Sequence, residues 1–379
     1  MTSWTQFLSG LGFMHITIPQ IVMLLIALFL AYLAIVKKYE PLLLLPLAFG
    51  MLIANIPLAG LSAYDEGGLI FYLYKGIELG IYPPMIFLCI GAMTDFGPLI
   101  ASPKSVLIGL GGQLGIFAAM GGALLLGNII PGMNSFSLKE AAAIGMIGSS
   151  DGPTSIYTAG MLASHLLPVI TIAAYSYMAL VPIIQPPIMR ALTTEKERVI
   201  EMLPPKRVTR RQKIIFAFGV TVGTLIIVPA SGSLIAMLML GNLIRESGVA
   251  ERYVRTLQNH LLNILTLLIG VSIGATATAE RILKPYTILI IALGLLAFAF
   301  GTIGGVLIAK LLSKLTGGKV NPLIGNSGVS AMPMAARVSQ KLGQEYNPHN
   351  HLLMHAMGPI VASTIGSALI AGVFITIFG

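Results

Sequence analysis

Long apolar runs separated by short polar breaks dominate this chain. They fall near residues 19–36, 41–61, 81–101, 105–130, 155–189, 213–230, 258–279, 285–312 and 351–378. A helix needs about 20 apolar residues to cross the hydrocarbon of a bilayer, so runs of this length predict transmembrane helices. The apolar–polar alternation of a membrane β-barrel is absent, which leaves helices as the structure that satisfies its own backbone in lipid. Shorter segments near 141–153, 232–244 and 322–336 are interrupted by Gly, Pro or polar residues. Broken backbone at membrane depth is tolerated only inside protein or beside a water-filled cavity. The expected fold class is all-α: a polytopic membrane helical bundle with inverted repeats and broken helices.

Composition sharpens this picture. Of 379 residues, 56% are hydrophobic and 10% are charged, against about a quarter charged in a soluble domain. Length allows on the order of ten crossings. The net charge is +9, but the basic residues sit in short loops between apolar runs, which argues against nucleic acid. The sole cysteine, Cys89, has apolar neighbours and reads as a small buried side chain. Residues 1–18, with Trp4, Phe7 and Phe13, are expected to form an amphipathic segment at the interface, without the pattern of a cleavable signal peptide.

Residues 190–213 form the longest polar stretch, with eight basic residues (Arg190, Lys196, Arg198, Lys206, Arg207, Arg210, Arg211, Lys213) against three glutamates. The positive-inside rule makes this loop cytoplasmic. It either serves topology alone or also docks a partner. It divides the chain into two transmembrane repeats, 19–189 and 214–379. Shifting the sequence by 177 positions brings Gly148 onto Gly325, Ser150 onto Ser327 and Pro182 onto Pro359. Two helix-breaking segments, each followed by a proline-bearing span, thus keep one spacing. Paired interruptions of this kind point to a transporter binding site.

The first interruption reads Gly148-Ser149-Ser150-Asp151-Gly152-Pro153-Thr154. A carboxylate at mid-membrane costs about 2.5–3.5 kcal/mol on insertion scales and is retained mainly for function. With hydroxyls and the carbonyls freed by Gly152 and Pro153, Asp151 makes an all-oxygen site suited to a hard cation. The alternative is a loop acid facing water. The second interruption, Asn321 to Arg337, offers amides, hydroxyls and an arginine but no carboxylate. One negative charge among neutral oxygens suits a monovalent cation better than calcium. No His or Cys cluster has the spacing of a zinc site. Asp95, Tyr177, His165 and His355 also lie in or at the ends of apolar runs. Each reads as a functional group or as an interfacial or packing residue.

Four stretches resemble one family, the β subunits of sodium ion-translocating, biotin-dependent decarboxylases. They are Gly148 to Ile156, Asn321 to Ser339, His351 to Gly358, and Lys37-Lys38-Tyr39-Glu40-Pro41 running on to Pro46. The resemblance implies a membrane subunit that decarboxylates carboxybiotin, consuming one proton, and exports sodium. It implies Asp151 as the sodium and proton acid, Asn321, Gly325 and Ser330 along the sodium path, and Tyr177 and Arg337 in coupling. Arg337 could also pair with the carboxylate of carboxybiotin, which its planar fork suits. Implied partners are a biotin carboxyltransferase α subunit, a biotin carrier protein, a small γ or δ membrane subunit and further β copies, in the inner membrane. The chain has Gly148-Ser149-Ser150 where the family often has Gly-Gly-Ala, and Ile360 where the oxaloacetate enzymes tend to carry Asn. It is more like the shorter members, which serve methylmalonyl-CoA or glutaconyl-CoA. The repeats alone would equally permit a sodium-coupled secondary transporter of an organic anion.

Overall fold

The computed structural model describes residues 10–38, 41–129 and 135–379, apart from the side chains of residues 128–129 and 176–179. Among the described residues the secondary structure is helical, with no strand. In the first half, α1 (Ile18–Ile35) and α2 (Pro41–Ala54) are followed by α3 (Leu69–Glu78) and α4 (Tyr82–Met93), bent by 67° at their junction. Next come α5 (Ser105–Gly112) and α6 (Leu114–Ile129), which together make one span broken at Gln113. Then α7 (Leu138–Gly145) runs through a tight turn, Met146–Ser149, into α8 (Gly152–Leu162), and α9 (Leu167–Leu192) closes the half.

The second half repeats this order. It has α10 (Arg210–Ile227), α11 (Gly232–Ser247), α12 (Leu262–Thr276) and the long α13 (Pro285–Leu315). A broken segment, Pro322–Gly328, leads to α14 (Met334–Tyr346), and α15 (Leu353–Phe378) ends the chain. Among the described residues five spans are long and apolar enough to cross a membrane, Ile18–Ile35, Ser105–Gly127, Glu251–Thr276, Pro285–Leu315 and Leu353–Phe378, or up to seven if each bent helix pair is one span. Local signals set the ends. Thr17 with Gln20, Ser137 with Glu140, and Thr209 with Gln212 each form a capping box, starting α1, α7 and α10, because each pair satisfies free N–H groups of the first turn. Outward faces are apolar, as at Ile18, Leu25 and Phe29 on α1 and Ile226 and Ile227 on α10, where the solvent is lipid.

Packing relates the halves by a twofold pattern. Helix α2 packs on α12, and α4 on α11; matching α2 with α11 and α4 with α12 exchanges the two pairs. Both contacts run backbone to backbone through glycine. A Cβ on Gly50 would meet Val271 O at 2.3 Å and one on Gly274 would meet Leu47 O at 2.0 Å; one on Gly91 would meet Leu238 O at 1.9 Å and one on Gly241 would meet Leu88 O at 2.0 Å. Small residues permit this approach where lipid supplies no hydrophobic drive between helices. Likewise α9 packs on α13 as α15 packs on α5, and α9 on α14 as α15 on α8.

The pattern is inverted. Thr17 and Gln20, at the start of α1, share a cavity with Asn55 and Arg281, just beyond the ends of α2 and α12. Lys213, in the first turn of α10, pairs with Asp95 and Glu246, at the ends of α4 and α11. Gln258, just before α12, donates to Ala92 O near the end of α4 (2.6 Å), so the ends of α12 and α4 lie on opposite sides and the halves begin at opposite ends of the bundle. The basic stretch is folded rather than free: α9 extends to Leu192, and α10 takes in the residues from Arg210 onward. Between them Arg198 is buried, donating to Thr193 Oγ1 (2.9 Å) and the Tyr346 hydroxyl (2.7 Å).

Candidate functional site

The first interruption is built from its glycines and caps. At Met146 the helix tightens into the turn, and Ser150 then takes a left-handed conformation, φ 57°. That region is uncommon for a residue with a Cβ. It turns the chain so that Asp151 caps α8, with Pro153 in the first turn, where its missing N–H is no loss. Asp151 is buried, with 5% of the residue exposed. One carboxylate oxygen accepts from Thr154 N (3.4 Å) and the other from Ser367 Oγ of α15 (3.0 Å). The positive end of the α8 dipole favours a negative charge there. No lysine, arginine or histidine pairs with it among the described residues. Nearby, the Ser150 hydroxyl is buried without a partner among those residues. The Thr154 hydroxyl lies against the carboxylate without a well-formed hydrogen bond.

The two interruptions meet. Ser330 N donates to Ser149 O at 3.1 Å. Both lie between the broken span α5–α6 and α13: a Cβ on Gly148 would meet Gly115 O at 2.3 Å, one on Gly112 would meet Gly328 O at 1.8 Å, and one on Gly325 would meet Gly305 O at 2.5 Å. Ser330 Oγ donates to Ser363 Oγ (2.9 Å), one turn from Ser367 on α15. Thus Asp151 and Ser330 reach the same helix face through Ser367 and Ser363.

Other expected residues fall elsewhere. Gly325 is a close-packing contact with α13. Asn321 caps the second interruption: its amide donates to the Arg198 and Ile200 carbonyls (3.0 and 2.8 Å) and accepts from Leu323 N (2.9 Å), so these bonds go to the basic loop and to its own turn. Arg337 is exposed on α14. Tyr177 lies on α9, but its side chain is outside the described residues. His165 pairs with Glu140 at 2.8 Å, and His355 lines a small cavity with Lys104 and Met202. Asp95 is paired with Lys213 at 2.7 Å. Burial pushes its carboxyl up, but the Lys213 ammonium and the Gly97 N–H outweigh this and hold it below the usual carboxylate value.

Four residues escaped sequence reasoning: Ser363, Ser367, Gln113 and Tyr175. The Tyr175 ring covers Gly152, where a Cβ would lie 2.4 Å from Cζ and 2.7 Å from the hydroxyl. The serines carried a readable signal, being four residues apart beyond Pro359 in an apolar span, hence on one helix face. As a donor set the site offers a carboxylate and neutral oxygens. No group of three or more His, Cys, Asp or Glu is gathered among the described residues. Such oxygens suit a hard, weakly charged cation.

Residues 19–378 match the family described as the Na+-transporting oxaloacetate decarboxylase beta subunit. The chain belongs to this family. It is 54% identical to a methylmalonyl-CoA decarboxylase subunit beta of Veillonella parvula, covering 95% of this chain and 94% of that protein. It is 51% identical to the glutaconyl-CoA decarboxylase subunit beta of Acidaminococcus fermentans, covering 99% and 97%. It is 46% identical to the oxaloacetate decarboxylase beta chain of Klebsiella pneumoniae, covering 99% of each. Membership of the family and the apolar spans together make this a multi-pass membrane subunit of a decarboxylase complex, and the secondary-transporter reading loses its ground.

Proposed function

We propose that this subunit couples the decarboxylation of carboxybiotin, presented by a partner, to sodium export, with Asp151 as the shared ion and proton acid. One observation carries the reading: a buried carboxylate, unpaired with any cation among the described residues, stands where the two inverted interruptions are joined by the Ser330 N–Ser149 O bond. Asp151 holds either a proton or a sodium ion. When sodium binds the ionised carboxylate, the displaced proton becomes available to the reaction. The charge of the ion is then neutralised in transit. That matters because moving a unit charge through 100 mV costs about 2.3 kcal/mol. The Ser150, Thr154 and Ser330 hydroxyls supply neutral oxygens, with Asn321 and Gly325 shaping the path and Tyr177 in proton coupling. Carboxybiotin supplies an N-carboxyl group whose release as CO2 takes up one proton at the ring nitrogen. Arg337 fits its carboxylate: the guanidinium is exposed, with no ion pair among the described residues.

We assign residues 19–189 and 214–379 as the two repeats. Of the expected interfacial segment 1–18, residues 10–18 lie at the interface and the rest falls outside the described residues; residues 190–213 lie on the cytoplasmic side of the inner membrane. The partners are a carboxyltransferase α subunit, a biotin carrier, a small membrane subunit and further β copies. The identities favour methylmalonyl-CoA or glutaconyl-CoA over oxaloacetate as the parent acid. In the reconstituted complex, Asp151→Asn should abolish sodium uptake and carboxybiotin decarboxylation together, while carboxyl transfer to biotin survives. Sodium pumping near the wild-type rate in that variant would remove Asp151 from this role.

A further inference from the structure

The span Ser105–Gly127 breaks at Gln113. The break lies between the two glycines that touch the interruptions, Gly112 against Gly328 and Gly115 against Gly148. Gln113 is 3% exposed. Its amide nitrogen donates to Gly109 O (3.3 Å), Ser363 O (3.2 Å) and Ser363 Oγ (2.9 Å). Two of these partners are carbonyls, which only accept, so the NH2 group must face them and the orientation of the amide is settled. The other end, Oε1, is buried with no donor among the described residues. Leaving a buried acceptor unpaired is costly, and the membrane interior has no bulk water to relieve it.

The residues around the Gln113 amide point to a partner for this oxygen. Gln113 lies against Gly366, where a Cβ would be 3.3 Å from Nε2. The next residue, Ser367, holds Asp151. Ser363 links Gln113 to Ser330. One free amide oxygen and two hydroxyl oxygens therefore gather one turn of α15 from the carboxylate, with no charged group among them.

We propose that Gln113 Oε1 is a ligand of the transported monovalent cation, forming with the Ser363 and Ser330 hydroxyls a neutral station beside Asp151. The proposal rests on the reading that the cation binds Asp151. A neutral station replaces part of the hydration shell yet holds the ion weakly enough to release it, which conduction between neighbouring sites requires.

The test uses the purified complex and two readouts, the sodium dependence of decarboxylation and sodium-induced thermal stabilisation measured against choline. Gln113→Met keeps length and volume but removes the oxygen. Half-saturating sodium should rise by about tenfold in both readouts. Half-saturation unchanged within about twofold, whether or not turnover falls, would overturn the proposal and leave Gln113 a packing residue. Should Gln113→Met fail to fold, Gln113→Asn keeps the amide and withdraws its oxygen by one methylene. A folded Gln113→Asn complex with unchanged sodium half-saturation is equally decisive against it. Asp151→Asn separates the two readings. If it keeps sodium-induced stabilisation, the ion does not bind Asp151 and the underlying reading fails. If it loses stabilisation while Gln113→Met titrates like wild type, only the Gln113 station fails.

Discussion

Replacing Gly148 with alanine tests whether the close meeting of the two interruptions is what the protein depends on. A Cβ there would lie 2.3 Å from both the C and O atoms of Gly115 and 2.6 Å from Ile116 N. All three are backbone atoms of a packed helix, so no side chain can swing away. Overpacking of a tight core costs about 1–3 kcal/mol, sometimes more, and here relief means pushing the interruption off α6 and straining the Ser330 N–Ser149 O bond. Gly160, in the last turn of α8, is the matched control: nothing lies within 4 Å of its Cβ position. Glycine in a helix interior is worse than alanine by about 0.5–1 kcal/mol, so Gly160→Ala should stabilise. The assay is thermal melting of the purified complex together with sodium uptake in proteoliposomes. Gly148→Ala should lower the midpoint and reduce uptake, and Gly160→Ala should raise the midpoint and leave uptake unchanged. A Gly148→Ala complex that melts and pumps like wild type would refute the argument that the backbone contact positions Asp151.

Further expectations follow from single contacts. Ser367→Ala removes one hydrogen bond to a charged acceptor, worth about 1.5–3 kcal/mol; half-saturating sodium should rise by about tenfold or more, and an unchanged titration would separate Ser367 from the ion site. Asn321→Ala leaves the Arg198 and Ile200 carbonyls with fewer donors and should lower the melting midpoint; sodium dependence unaffected by it would confine Asn321 to holding the loop. Arg337→Lys replaces a planar fork by a point charge and should raise the concentration of free carboxybiotin needed for turnover, which kinetics with that substrate would show. The carboxyl of Asp95 is held below its usual value, so its ion pair with Lys213 stabilises the fold fully above pH ~4 and is lost as pH falls through the lower folded value. Asp95→Asn should therefore flatten the acid limb of the melting-versus-pH curve, and an unaltered limb would mean the pair contributes nothing.

The apolar runs, the positive loop and the two glycine–proline interruptions determined that the chain is a helical membrane bundle. They also marked Asp151 and Ser330 as candidate site residues, and the fold brings both to one face of α15. These are local properties: burial in lipid demands apolar length, and a carboxylate inside a broken span has few uses other than function. The order of elements across the basic loop likewise announced a repeat, because a helix break leaves an unmistakable mark in an apolar composition. Which residues surround Asp151 was not legible, since it depends on how α15 and α5–α6 pack around the interruptions. Gln113 looks like any polar residue tolerated in a span, and the spacing of Ser363 and Ser367 marks only a shared helix face, until the twofold packing brings the three together. Asn321 shows the converse. In sequence it belongs to the second interruption and reads as an ion ligand; in the folded chain its amide donors also hold the loop at residues 198–200. Only the tertiary structure decides between these roles, because an amide's bonds are set by the neighbours that packing supplies, and those neighbours are distant in sequence.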